Sequence, residues 1–167
     1  MPIVYNADEI YEMGVEIEKN GREFYRHAAE LAQDDDAKRL FLELSDWETR
    51  HIDIFEKLRQ NVPDDLKQDD SGFDIDQQKH AYLKAAADSH IFSRNLDPVE
   101  FIKNAKSPAD ILRYAMNFEK DSVVLYVSMK NIVPAQLGRD TIDGLINEEI
   151  KHVSMLQEQI DILEGAE

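Results

Sequence analysis

The chain has 167 residues, enough for one domain with a buried core, and its 19 basic and 35 acidic residues give a net charge of −16 that would repel nucleic acid. It contains no cysteine, which excludes disulfides, thiolate-bound zinc, iron–sulfur centres and a thiol nucleophile. Because no apolar run after Met1 resembles a leader or could span a bilayer, we expect a soluble protein without membrane contact, by default cytoplasmic.

The first predicted unit is a helical hairpin over residues 7–60. Its first helix begins after Asn6, with Glu9 completing a capping box, and its second begins within the acidic run 34–36 and ends before Pro63. Apolar or small residues recur at helical spacing in both helices. They are Ile10, Gly14, Ile17, Gly21, Phe24, Ala28 and Leu31, followed by Leu40, Phe41, Leu44, Trp47, Ile52, Phe55 and Leu58.

Residues 61–106 form a predicted crossover that is too long for a simple hairpin connection. It begins with six aspartates, namely Asp64, Asp65, Asp69, Asp70, Asp74 and Asp76. An EF-hand reading fails because Gly72 as the turn glycine would put Lys67 at the first ligand position. We therefore expect a solvated loop, then an extra helix over about 78–94 and a short one over about 99–105.

The second hairpin is predicted over residues 107–164. Ser107 is a helix cap with Pro108 at the first helical position, and Pro134 and Gly138 separate the two helices. The apolar stripes are Ile111, Ala115, Phe118, Ser122, Leu125 and Met129, then Ile142, Leu145, Val153, Leu156, Ile160 and Leu163. Two hairpins joined by one long crossover predict an all-α four-helix bundle, with residues 1–167 as a single domain.

A four-residue pattern occurs twice in the chain, 101 positions apart. Each copy has a lone Glu, a Tyr seven residues later, and a Glu-x-x-His that begins thirty residues after the lone Glu. The members are Glu18, Tyr25, Glu48 and His51, then Glu119, Tyr126, Glu149 and His152. The Glu and His members fall within the apolar stripes, so we expect them to point into the bundle. Burying a carboxylate without a partner costs several kcal/mol, and bound cations are the simplest compensation for four of them.

The residue types in this pattern suit a pair of metal ions. Residues three apart share a helix face, so each Glu-x-x-His offers one oxygen and one nitrogen to the same region. Four carboxylates and two imidazoles suit iron or manganese, with zinc as a further alternative. Each Tyr is two turns from the lone Glu of its helix and is expected to donate a hydrogen bond to a ligating carboxylate. We expect His27, His80 and His90 on the surface or in helix packing, and Trp47 in packing.

Residues 16–30, together with the first Glu-x-x-His, resemble the rubrerythrin-type branch of the ferritin-like di-iron carboxylate proteins. The resemblance extends through residue 51 and resumes from about residue 107 to the C-terminus. It implies a ferritin-like bundle that binds two iron ions, with manganese or zinc as alternatives. The implied roles are terminal ligands for Glu18 and Glu119, bridging ligands for Glu48 and Glu149, one metal each for His51 and His152, and hydrogen bonds to the ligands for Tyr25 and Tyr126.

The chain departs from that branch at two points. Its members usually carry a C-terminal rubredoxin-like domain whose four cysteines hold iron, and this cysteine-free chain has none. The electrons are therefore expected from a separate donor, such as a rubredoxin-like protein. Members also place an extra carboxylate one turn after the third-helix Glu, where this chain has Ser122, mirrored by Gly21 on the first helix.

The resemblance implies an oxidoreductase that reduces hydrogen peroxide or O2 in an oxidative-stress role. Three alternatives stay open at this point. The same residues would serve a ferroxidase in an iron-storage shell, a manganese catalase-like enzyme, or a helical module whose metals are structural. A homodimer is expected because the apolar positions between Tyr82 and Phe92 supply spare surface.

Overall fold

The computed structural model describes residues 5–67, 77–90 and 97–165, and within these ranges it contains helices and no strand. The α-helices in these ranges are α1 (Ala7–Leu31), α2 (Asp35–Gln60), α3 (Gln77–Ser89), α4 (Pro98–Asn104), α5 (Pro108–Ile132) and α6 (Arg139–Glu164). Single 3-10 turns at Asp64–Leu66 and Ala135–Leu137 follow α2 and α5. The predicted all-α class is confirmed.

The helix starts follow from local side-chain chemistry. Asn6 accepts a hydrogen bond from the Glu9 backbone N–H at 2.9 Å, and the Glu9 carboxylate accepts one from the Asn6 backbone at 3.0 Å. Asp34 caps α2 and Ser107 caps α5, each by accepting one hydrogen bond from the backbone N–H three residues later. Gly138 precedes α6 with a φ of 108°, a left-handed conformation that favours glycine.

The bundle consists of two helical hairpins, α1 with α2 and α5 with α6. The crossover helix α3 packs on α5, and α4 packs on α1, so the crossover covers part of both hairpins. Buried side chains from the four long helices meet in one core between the hairpins. This arrangement confirms the predicted four-helix bundle and the additional helix in its crossover. The single-domain boundaries 1–167 stay a prediction.

Two sequence-based expectations are wrong in detail. The first crossover helix ends at Ser89 rather than near residue 94, and residues 91–94 lie outside the described part of the chain. Leu31 is 56% exposed and Leu163 is 39% exposed, and both line a cavity near the ends of their helices. Asp64 and Asp65 are exposed, as expected, while Asp69, Asp70, Asp74 and Asp76 lie outside the described residues. Among the described helices, none has the length and apolar character needed to cross a membrane.

Candidate metal centre

Six acidic and imidazole side chains meet at the middle of the bundle, and each is at most 2% exposed. Each long helix contributes to this cluster. The members are Glu18 from α1, Glu48 and His51 from α2, Glu119 from α5, and Glu149 and His152 from α6. Two overlapping groups have ligand atoms within 4.8 Å of one another: Glu18, Glu48, His51 and Glu149, and Glu48, Glu119, Glu149 and His152. Glu48 and Glu149 belong to both groups, so the cluster is a candidate site for two metal ions.

Both histidines turn the same ring nitrogen toward the cluster. His51 Nδ1 lies 2.9 Å from Glu149 Oε1 and 3.5 Å from Glu18 Oε2. His152 Nδ1 lies 2.9 Å from Glu149 Oε2 and 3.5 Å from Glu119 Oε2. The two imidazole rings stack with centroids 5.7 Å apart and an interplanar angle of 22°. The rings therefore lie side by side, one nitrogen for each half of the cluster.

The donor atoms of the cluster fit bound cations. Glu48 receives no hydrogen bond at either carboxylate oxygen, and the same holds for Oε2 of Glu18, Oε2 of Glu119 and Oε1 of Glu149. His51 Nδ1, although 2.9 Å from Glu149, is not aligned for a hydrogen bond. Buried polar atoms in proteins are almost always paired, so six unpaired atoms facing one another indicate a missing positive charge. Two divalent ions would balance four carboxylates.

Without bound cations, protons on the side chains of the cluster compensate part of its negative charge. Burial raises the pKa of Glu18, and together with the neighbouring carboxylates it holds the pKa values of Glu48 and Glu119 well above the usual range. Burial opposes ionisation of Glu149, but the positive charge of His51 and the hydrogen bonds with Glu119, His152 and His51 together outweigh it and keep the Glu149 pKa below the usual range. Glu149 is thus shifted toward its charged form, and the other three carboxylates are shifted toward their neutral forms.

The histidines shift in the opposite sense from ordinary buried imidazoles. Burial disfavours their charged form, yet the nearby carboxylates raise the pKa of His152 to about 10 and hold that of His51 well above its usual value. In the absence of cations, both rings are therefore protonated on both nitrogens at neutral pH and carry a positive charge. A metal ion binding through Nδ1 must displace that proton, so metal binding is coupled to proton release.

The two tyrosines of the repeat reach across between hairpins. Tyr25 on α1 donates its phenolic hydrogen to Glu119 Oε1 on α5, and Tyr126 on α5 donates to Glu18 Oε1 on α1. Both tyrosines are fully buried, and burial together with the Glu119 charge holds the Tyr25 pKa well above its usual value, so it stays a donor. Each hydrogen bond holds one carboxylate oxygen and leaves the other facing the cluster.

Two residues next to the cluster were missed as functional candidates by the sequence reasoning. Glu148 Oε2 lies 2.9 Å from His51 Nε2, on the side of the ring away from the cluster. Trp47, which does pack as expected, lies beside both imidazoles, with ring centroids 5.8 Å from His152 and 6.4 Å from His51. The guanidinium of Arg50 covers the indole at 4.4 Å. The repeat contained a signal for them, because positions 47 and 148 are also 101 apart.

Gly21 and Ser122 stand at the two positions where an extra carboxylate could have joined the cluster, and other groups surround both. A Cβ atom on Gly21 would lie 2.3 Å from Phe118 Cζ, so this ring occupies the space that a side chain there would need. Ser122 is fully buried, and its hydroxyl lies 3.0 Å from His90 Nε2. Burial lowers the pKa of His90 to about 3, so this imidazole is neutral at physiological pH. The cluster therefore has no space for a further carboxylate at Gly21.

The remaining histidines have the packing and surface roles expected of them. His80 is buried and its Nδ1 accepts a hydrogen bond from the Tyr5 backbone N–H at 3.0 Å. His27 lies partly exposed on α1, 3.4 Å from Glu30. His90 packs edge-to-face on Phe118 with centroids 5.4 Å apart. None of the three belongs to the groups of potential metal ligands in the described part of the chain.

A bundle of two hairpins with carboxylates and imidazoles buried at its centre defines a ferritin-like protein with a candidate dinuclear metal site. The family model named Rubrerythrin matches residues 9–160, and the chain belongs to this family. A crystal structure from Thermotoga maritima, provisionally described as a ferritin-like diiron-carboxylate protein, has the same fold. It is 23% identical, with a TM-score of 0.70 over 93% of this chain and 95% of that one. Among curated proteins, no significant match was found.

Proposed function

We propose that the chain is a di-iron oxidoreductase that reduces hydrogen peroxide or O2, with peroxide as the preferred substrate. The observation that carries this proposal is that Glu48 and Glu149 each belong to both groups of potential ligands. Shared carboxylates of this kind would bridge two ions, while Glu18 and Glu119 would bind one ion each. Membership of the Rubrerythrin family supports iron as the metal. When bound, the iron pair would supply the two electrons that reductive cleavage of an O–O bond requires.

The protein side chains around the cluster have three tasks in this proposal. His51 and His152 each direct Nδ1 inward, which orients one nitrogen ligand toward each ion. Tyr25 and Tyr126 hold the terminal carboxylates through hydrogen bonds from the opposite hairpin. These contacts fix the ligand positions before a cation arrives, so little reorganisation is needed on binding.

Aromatic rings keep bulk water away from the same cluster. Phe41 and Phe118 pack on Tyr25 with centroids 6.2 and 6.0 Å away, and Phe55 packs on Tyr126 at 5.2 Å. All five rings are at most 3% exposed. A dry site strengthens the attraction between carboxylates and cations, and it limits access to small oxidants.

The electron donor and the oligomeric state are part of the proposal. Because the chain has no cysteine, it holds no four-cysteine iron site, and we propose a separate rubredoxin-like protein as donor. A homodimer is proposed because Tyr82 is 57% exposed, while Phe92 lies outside the described residues. Size-exclusion chromatography distinguishes a dimer from the many-subunit shell that an iron-storage role would require.

The proposal is tested by metal content and reactivity measured on the same preparations. The chain is expressed in iron-rich, manganese-rich and zinc-rich media, and metal per chain and peroxide turnover are measured for each. We expect two irons per chain and the highest turnover with iron. Anaerobic Fe(II) loading should then give oxidation that is faster with peroxide than with O2.

Matched variants separate the cluster from the rest of the acidic surface. Glu119→Ala should lose metal and turnover, whereas Glu43→Ala, an exposed position on α2, should keep both. Fewer than two irons in the wild type, or no reaction with either oxidant, would overturn the proposal. Evolution of O2 from peroxide by the manganese form alone would replace it with a catalase-like activity.

A further inference from the structure

The twofold repeat is broken immediately beside the cluster. The residue directly before the Glu-x-x-His differs between the two copies: it is Trp47 in the first and Glu148 in the second. These residues lie next to the histidine of the other copy: Glu148 on α6 is 2.9 Å from His51 on α2, and Trp47 on α2 lies beside His152 on α6. The two imidazoles therefore have different chemical surroundings on the side facing away from the cluster.

His51 is held by a carboxylate. Its Nε2 lies 2.9 Å from Glu148 Oε2. Because a carboxylate accepts hydrogen bonds, the neutral ring that binds a metal ion keeps its hydrogen on Nε2. The lone pair is then on Nδ1, the nitrogen that faces Glu18, Glu48 and Glu149. A carboxylate on the outer nitrogen of a ligating imidazole fixes the ring orientation and raises its basicity as a ligand. Glu148 is thus a positioning residue for His51.

Among the described residues, His152 has no such partner. Its contacts with carboxylates are those of Nδ1 with Glu149 and Glu119. Across the described residues, no other carboxylate lies within ion-pair distance of this histidine. The group beside the ring is the indole of Trp47, tilted by 58° and shielded in turn by Arg50 at 4.4 Å. Packing limits the ring's movement, but in the described part of the chain no acceptor selects the tautomer with its lone pair on Nδ1.

We propose that the two metal positions are unequal. The position served by Glu18, Glu48, His51 and Glu149 fills first and holds its ion more tightly. The position served by His152 fills second and exchanges its ion faster. Loss of a carboxylate partner behind a metal-bound histidine typically lowers metal affinity by about 10- to 100-fold, and this sets the expected ratio of the two dissociation constants. The proposal rests on metal binding at the proposed di-iron centre, and it is independent of the reaction catalysed there.

The experiment is a calorimetric titration of the full metal-free chain with Co(II), without any oxidant. Trp47 is the chain's one tryptophan and lies beside both imidazoles, so its fluorescence reports filling of the cluster in parallel. The wild type should bind two ions in two resolved steps separated by about 10- to 100-fold. Glu148→Gln should weaken the tight step by a similar factor and leave the weak step unchanged, so that the steps merge.

A second variant tests the inference from the opposite direction. Trp47→Glu restores the repeat by giving His152 a carboxylate, and it should tighten the weak step by about 10-fold or more while the tight step is unchanged. Trp47→Phe keeps an aromatic ring there and should leave both steps as in the wild type. Glu158→Gln, an exposed position on α6, is the matched control for Glu148→Gln. Circular dichroism confirms that each variant is folded.

The outcomes separate this inference from the proposed function. Two ions bound with equal affinity, or both steps weakened equally by Glu148→Gln, would overturn the inequality and leave the dinuclear site in place. Binding of fewer than two ions by the folded wild type would overturn both. Resolved steps, with the tight one alone sensitive to Glu148, would support the inference whatever the oxidant proves to be.

Discussion

Glu48 provides the sharpest test of whether the polar cluster exists for cations. It is fully buried on α2, and neither carboxylate oxygen receives a hydrogen bond. Substitution by methionine, Glu48→Met, keeps a side chain of similar length and removes both acceptors. An unpaired buried polar group costs about 1–3 kcal/mol, so the metal-free variant should be more stable than the wild type by about that amount. The lower end applies if a proton shared with Glu18 already relieves part of this cost.

Once metal is present, the wild type should be more stable than Glu48→Met. A ligand that binds only the folded state at 100 times its dissociation constant stabilises it by about 2.7 kcal/mol per site. The wild type should gain this stability on Fe(II) addition, whereas Glu48→Met lacks a carboxylate common to both groups and should gain much less. For a chain of this size, 1 kcal/mol corresponds to about 2–4 °C in Tm, so the metal-free increase is about 2–12 °C.

The assay is thermal unfolding followed by circular dichroism, with chelator or with anaerobic Fe(II). Glu43→Met, an exposed position on the same helix, is the control and should change stability by less than about 0.5 kcal/mol in both conditions. If metal-free Glu48→Met is less stable than the wild type, the carboxylate supports the core by itself. The reasoning from unpaired buried acceptors would then be refuted.

Three further predictions concern the same site. The metal-free protein should lose stability as pH rises from about 6.5 toward 10, because His152 has a pKa of about 10 when folded against an ordinary value near 6.5; a chelator-treated sample whose Tm rises over that range contradicts this. Gly21→Ala should destabilise the fold by about 1–3 kcal/mol in urea titrations, because the new Cβ meets Phe118, and Phe118→Leu in the same chain should recover part of the loss. Tyr25→Phe removes the donor to Glu119 and should weaken Fe(II) binding by about 10-fold or more, with retained helicity by circular dichroism; unchanged affinity would show that this hydrogen bond does not orient the ligand.

The fold was largely predictable because its signals are local. Capping residues such as Asn6 and Ser107 satisfy backbone donors within one turn, so they mark helix starts without reference to the rest of the chain. Helix ends were less predictable. The sequence pattern extends the first crossover helix to about residue 94, whereas it ends at Ser89, and Leu31 of the apolar stripe is 56% exposed. Helix ends fray and lack a sharp local signal, so their bounds are less certain than those of capped starts.

The order of residues along the chain is enough to show which faces of the long helices are buried and which polar groups those faces carry. Side-chain direction along a helix is set by its 3.6-residue period, so the inward direction of Glu18 and Glu119 follows from their places in the apolar stripes. This period does not predict which residues of different helices contact each other. The contacts of Tyr25 with Glu119, of Glu148 with His51, and of Phe118 with Gly21 become visible only in the folded chain. Those pairings depend on the rotation and offset of one hairpin against the other, which long-range packing sets.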